Sequence, residues 1–243
     1  MFQTLKNAWK IPELKNKLLF TLLIIVLYRL GSAIPLPWVN SDTLQSWFSS
    51  QGGNALGWLN VLSGGALSRA TLFALSVSPY ITASIVVQLL TIAIPALERL
   101  AKEDGEEGRK KIAEITRYLT IVLALIESVA MAVGFVAQGL LDHYTWYNVL
   151  VAVIALTAGS AVLMWIGERI TENGVGNGIS IVLLINILSR IPQDFAVIHE
   201  RFIKGKSTAM ILVTVVLVAL ILLLIVGFVV LLNGGERRIP VQY

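Results

Sequence analysis

Apolar residues in this chain of 243 gather into long runs separated by short charged clusters, rather than alternating at the period of a half-buried strand or a surface helix. A membrane crossing needs about 20 apolar residues. Five runs meet or approach that length, near 18–36, 74–97, 112–138, 146–166 and 208–232, and each predicts a transmembrane helix. A sixth run, GISIVLLINILSR from Gly178, is expected to stop at Pro192 and to cover only about 21 Å at 1.5 Å per residue. Helices this short are tolerated at membrane depth where they are buried in protein or line a cavity. The predicted fold class is all-α, a polytopic transmembrane helix bundle.

Composition narrows the function classes. Apolar residues make up 56% and charged residues 14%, with a mean hydropathy of +0.77, outside the range of an ordinary soluble domain. There is no cysteine, and the two histidines, His143 and His199, lie far apart in loops, so no disulfide framework, metal site or cofactor is expected. The net charge of +4 reads as membrane orientation rather than nucleic-acid binding. Residues 1–17 carry Lys6, Lys10, Lys15 and Lys17 ahead of the first run, with no cleavage site at its end, and predict a retained cytoplasmic helix along the membrane surface.

With the N-terminus inside, thirteen of the 19 basic residues fall on the inner side and six on the outer, which fits the positive-inside rule. Residues 40–73 must then begin and end outside, so NALGWLNVLSGGALSR is re-entrant or lumenal. Its Gly64, Gly65, Ser68 and Arg69 are poor lipid-facing residues, because unsatisfied backbone groups in hydrocarbon cost several kcal/mol each. A half-helix at 55–67 filling a protein-walled cavity, with the Gly pair as a hinge, is one reading. An ordinary extramembrane loop helix is the other. The charged segment 97–118 is a solvated hairpin or a docking surface.

In the run after this piece, Val77 and Ile81 lie one turn apart, while Thr82, Ser84, Gln88 and Thr91 form a polar series on other faces. Gln88 at mid-membrane must pair across a helix contact or meet water. Ile179 and Leu183 repeat the same spacing in the short run, and taken alone all four aliphatics read as packing. WIGERITENGVGNGIS carries Gly174, Gly176 and Gly178, but no strand precedes it, so a dinucleotide fingerprint fails its context. The glycines instead predict positive φ angles in a compact turn, with Asn177 capping the helix that follows.

LSGGALSRATLFALSVSPYITASIVVQLLT and GERITENGVGNGIS resemble segments of the SecY family of protein-conducting channels, and YRLGSAIPLPWVN and GGERRIPVQY resemble others in the same order. The resemblance covers essentially the whole chain and looks bacterial. It implies a plug at about 55–67, with Asn60, Leu62, Ser63, Gly64, Gly65, Ser68 and Arg69 in the plug and its hinge. It also implies a pore ring that includes Val77, Ile81, Ile179 and Leu183, and a lateral gate near Gln88 and Thr91. Arg109, Lys110, Lys111, Arg237 and Arg238 correspond to docking surfaces for a SecA-type motor ATPase and the ribosome.

Further implied partners are SecE- and SecG-type membrane subunits, signal peptides with their nascent chains, and the lipid bilayer of the bacterial cytoplasmic membrane. The family has ten spans in two inverted halves, whereas six are expected here. The chain is therefore expected to be a fragment: an N-terminal half at 18–207, a sixth span at 208–232 and the start of a cytosolic loop at 233–243. Hydrophobic constrictions resist wetting when empty, so an aliphatic ring could close around a passing chain without sequence preference. A gate open to lipid would release apolar segments at about 0.8 kcal/mol per buried CH₂. No Walker motif is present, and no enzyme activity is expected.

Two rival readings are distinct in chemistry. A secondary transporter of small solutes would use Glu127, the best candidate for an ion-coupling carboxylate. An intramembrane protease would need Ser160, but no histidine lies in a span to activate it.

Overall fold

The computed structural model describes residues 9–50, 55–102, 105–140, 145–200, 204–205 and 207–235. The chain divides into two compact units, residues 1–190 and 191–243. In the first, helix α1 (Pro12–Gly31) starts with Pro12 in its first turn, where the missing N–H costs nothing. Residues 12–17 therefore continue directly into the first apolar run, while residues 1–8 of the expected surface helix lie outside the described residues. The helix also ends at Gly31, short of the expected 36. Arg29 lies in its last turn, where a cation suits the helix dipole.

After α1 the chain folds back on itself. Leu36 N–H donates to the Ala70 carbonyl at 2.7 Å and Leu72 N–H to the Ile34 carbonyl at 2.9 Å, around an antiparallel bridge between Pro35 and Thr71. Two short helices, α2 (Ser41–Ser50) and α3 (Ala55–Leu62), lie within this excursion. The span expected over 74–97 is shorter than the apolar run. Residues 72–77 are turns, and α4 (Ser78–Ala93) is followed by α5 (Pro95–Lys102) at a bend of 103°. Pro95 explains the break: the residue before a proline is driven out of the helical region, and Ile94 sits at φ −109°, ψ 113°.

Helix α6 (Gly105–Ala137) is longer than expected, because the charged segment is itself helical. Its 33 residues extend about 50 Å, well beyond a hydrocarbon core of about 30 Å. Thr116, Thr120, Ala124, Ser128 and Ala132 recur every fourth residue on its buried side. The hydroxyls of Thr116, Thr120 and Ser128 donate back to the carbonyls four residues earlier, so small polar groups are satisfied within the helix. Ser128 also accepts from Thr157 at 3.0 Å.

Thr157 belongs to α7 (Trp146–Asn173), which contributes the most buried residues of any described helix. In a bilayer, lipid tails are as apolar as leucine, so close approach and interhelical hydrogen bonds replace the hydrophobic effect as the source of helix association. Gly159 accordingly abuts the Leu72 carbonyl, with no room for a β-carbon, and Gly167 abuts the end of the Ile179 side chain, which would have to move aside for one.

Helix α8 (Gly178–Ile198) passes straight through Pro192, where the sequence predicts a stop. At 21 residues it spans about 31 Å, enough to cross. A membrane helix tolerates the lost donor because neighbouring groups can re-satisfy the freed carbonyl. In the second unit, α9 (Thr208–Asn233) is apolar on every face, and its most apolar stretch, Met210–Asn233, is nowhere buried. Among the described residues four helices are long and apolar enough to cross a membrane, or five if α4 and α5 are taken as one bent span.

Candidate functional site

The re-entrant piece is a knot of hydrogen bonds. Helix α3 ends at Leu62, and Gly64, at φ +67°, supplies the left-handed residue that stops it. Gly65 N–H donates to the Asn60 carbonyl at 2.8 Å and Gly64 N–H to the Val61 carbonyl at 3.0 Å, the paired bonds of a Schellman cap. The Asn60 side chain accepts from Ser68 N–H at 2.9 Å, and Ser63 Oγ donates to the Asn60 carbonyl while accepting from Leu67 N–H. The Arg69 guanidinium donates to the carbonyls of Gly64 and Gly65, at 3.3 Å each. The Gly pair expected as a hinge lies within this hydrogen-bonded cap. Its helical part is 55–62 rather than 55–67, with residues 63–70 in turns.

The four aliphatic candidates occupy different surroundings. Val77 is fully buried, in one apolar cluster with Ile24, Tyr28, Phe73, Leu163 and Val182. Ile81, Ile179 and Leu183 pack against that cluster. Ile81 and Leu183 come from different helices yet line one cavity of about 120 Å³, together with Leu59 and Leu62 of α3 and the hydroxyl-bearing Ser76, Ser78 and Thr82. Ile179 is held instead against the backbone of Gly167.

Gln88 is exposed on α4, and Thr91 donates to its carbonyl at 2.6 Å. The turn at 174–178 corrects one expectation. Only Gly176 has positive φ, at 74°, whereas Gly174 and Gly178 are required because a β-carbon would collide with the Ile170 and Gly167 carbonyls. Asn177 does cap α8, accepting from Ser180 N–H at 3.2 Å.

Arg109, Lys110 and Lys111 are exposed on the first turns of α6, after Glu106 and Glu107, whose charges suit the helix N-terminus. Nearby, Lys102 Nζ donates to Glu98 at 2.7 Å, and this hydrogen bond holds the Glu98 carboxyl below its ordinary range. Arg237 and Arg238 lie outside the described residues. Glu127 is half-buried and lines a larger, mostly apolar cavity of about 400 Å³ together with Trp47, Phe48, Met131 and Phe135. Ser160 Oγ is buried and donates to the Ser76 carbonyl at 3.4 Å, a structural bond between α7 and the turn before α4.

Sequence reasoning missed Tyr28, Ser76 and Asn186, which form a buried polar centre. Tyr28 donates to Asn186 Oδ1, and Asn186 Nδ2 donates to the Leu62 carbonyl at 3.1 Å and to Ser76 Oγ at 3.2 Å. Ser76 Oγ donates on to the same Leu62 carbonyl at 3.3 Å. Ser76 itself sits at φ +55°, a strained conformation for a residue other than glycine. The available signal was a lone Asn inside the apolar IVLLINIL, since a polar residue at that depth needs a partner.

Fold and site together define an all-helical, multi-pass membrane protein in which a short capped helix lines a cavity together with residues of two spans. The SecY family model matches residues 71–243. The protein translocase subunits SecY of Halalkalibacterium halodurans, Aquifex aeolicus and Escherichia coli are 43%, 41% and 41% identical to this chain over its whole length. The chain belongs to the SecY family. It spans about half the length of these relatives, 57%, 57% and 54% respectively.

Two solved structures share the fold. One, described as a protein conducting channel, aligns with a TM-score of 0.53 at 21% identity over 76% of this chain and 40% of its own. The other, Sec61 in the canine ribosome-channel complex from the endoplasmic reticulum, gives 0.58 at 19% identity over 97% of this chain and 53% of its own.

Proposed function

We propose that this chain is the N-terminal part of the central subunit of a protein-conducting channel. The channel moves unfolded secretory polypeptides across the bacterial cytoplasmic membrane and releases apolar segments sideways into lipid. The observation that carries this reading is the cavity that Ile81 and Leu183 share with Leu59 and Leu62. Aliphatic side chains from two helices face a space that a short, polar-ended helix also lines. Ser76, Ser78 and Thr82 also line this space, and where aliphatic side chains narrow a channel the constriction resists wetting.

In this reading residues 55–67 are the plug, Val77, Ile81, Ile179 and Leu183 belong to the ring, and Gln88 and Thr91 border the lateral gate. The N-terminus is cytoplasmic. Residues 18–207 form one of two inverted halves, α9 supplies the sixth span, and 233–243 begin a cytosolic loop. SecE- and SecG-type subunits complete the membrane complex. Arg109, Lys110 and Lys111, with Arg237 and Arg238, dock a SecA-type motor or a ribosome.

The test is disulfide crosslinking in the full-length protein, with single cysteines at Val77, Ile81, Ile179 or Leu183 and one in a stalled secretory chain. Crosslinks at these positions and none at Leu222, which is exposed on α9, are expected. Equal reaction at Leu222, or silence at all four, rejects the assignment.

A further inference from the structure

Asn186 is wholly buried on α8, and its side chain makes three hydrogen bonds, using both of its amide protons. Its oxygen accepts from Tyr28, and its amino group divides its two protons between Leu62 at the end of α3 and Ser76 before α4. The backbone around it meets the same segment. A β-carbon on Gly64 would stand 2.9 Å from the Asn186 carbonyl and 3.1 Å from its α-carbon. The Asn186 carbonyl is also taken, by Ser189 Oγ at 2.7 Å. The carbonyl that ends the re-entrant helix is therefore held by two side chains, Ser76 before α4 and Asn186, of which only Asn186 belongs to a distant span.

We propose that Asn186 is the positioning residue that latches the plug. The proposal rests on the reading of 55–67 as a plug and deepens it by naming what holds that plug in place. When α3 leaves, one proton of the Asn186 amide and the hydroxyl proton of Ser76 lose the Leu62 carbonyl as their acceptor. The Asn186 donor is left in a buried, water-poor site, where an unmade hydrogen bond is costly. Departure of the plug therefore occurs only when the entering polypeptide supplies enough favourable contact to offset that loss. Tyr28 acts one step back, because it orients the Asn186 amide and does not touch α3. Its removal leaves the bond to Leu62 in place.

These 243 residues hold no cysteine, so in a full-length protein with any cysteine outside them replaced by serine, a single introduced one is a clean reporter. Ala66 is buried in the plug segment and Ala152 is buried on α7. In the full-length protein in membranes, Ala66→Cys and Ala152→Cys are each exposed to a membrane-impermeant maleimide, with and without Asn186→Leu. The expected result is a roughly tenfold faster reaction at Ala66→Cys, with Ala152→Cys unchanged. Tyr28→Phe is expected to give a smaller increase.

An unchanged rate at Ala66→Cys in the Asn186→Leu protein overturns the latch. Equal acceleration at both cysteines also overturns it, since Asn186 would then merely hold the fold. A stalled secretory chain separates the two readings. If it exposes Ala66→Cys while Asn186→Leu does not, the plug stands and the latch fails; if even the stalled chain leaves Ala66→Cys unreactive, the plug reading fails and takes the latch with it.

Discussion

Gly159 of α7 meets the carbonyl of Leu72 so closely that no β-carbon fits between them. The contact joins the middle of a span to the turn that precedes α4, and it is backbone against backbone, so no flexible side chain can move aside. Gly159→Ala is expected to destabilise the full-length protein by about 1–3 kcal/mol through overpacking. Denaturation in detergent, with Gly134→Ala as the control because nothing lies near its added β-carbon, measures it.

Arg117 of α6 donates to Glu168 of α7 at 2.7 Å, in a pair that is partly exposed. The coupling energy of such a pair is about 1 kcal/mol or less. A double-mutant cycle with Arg117→Ala and Glu168→Ala is expected to return a value of that size that shrinks as salt is raised. A coupling that ignores salt would show that the contact acts by packing.

Ile81 and Leu183 face the cavity that α3 also lines, and a polar side chain there would help to wet it. Ile81→Asn and Leu183→Asn are each expected to raise ion leakage of the reconstituted full-length channel several-fold without loss of folding. Leu222→Asn, on the exposed face of α9, is expected to leave leakage unchanged.

Glu127 lines the 400 Å³ cavity, the feature that favours a small-solute transporter. Glu127→Gln is expected to leave export of a secretory protein near the wild-type rate. Loss of a proton- or sodium-coupled solute flux in that variant, with export intact, would reinstate the transporter reading.

Arg109, Lys110 and Lys111 are exposed on one end of a helix that outruns the bilayer. If they dock a partner as proposed, reversing their charges is expected to slow association of the full-length protein with a SecA-type motor ATPase or a ribosome, most strongly at low salt, because exposed charges act chiefly on the encounter rate. Binding kinetics measured at two ionic strengths check this. An effect on dissociation alone would place the residues inside the contact.

Much of the architecture was legible in the sequence because bilayer thickness and the need to satisfy every backbone group leave few options for an apolar run. The runs at 112–138, 146–166 and 208–232 match helices α6, α7 and α9 to within several residues at each end, except where charged or amphipathic flanks continue the helix. The break near 94 was hidden because Ile94 and Pro95 lie inside an apolar stretch, where hydropathy carries no information about direction. The passage through Pro192 was hidden for the opposite reason: in water a proline predicts a helix end, whereas a membrane helix can keep going.

The polar centre at Asn186 shows the limit of reading along a chain. Tyr28, Leu62, Ser76 and Asn186 are separated by up to 158 positions, and no spacing rule joins them. Local composition alone determined that this protein crosses a membrane several times and that residues 55–69 are unsuited to lipid, since each follows from transfer energies of neighbouring residues. Tertiary structure decided which carbonyl Asn186 holds, which glycines must be glycines for contact rather than for φ, and that Ile81 and Leu183 share one cavity. Those outcomes depend on distances between helices that meet only after folding, and hydrogen bonds and close packing are short-ranged.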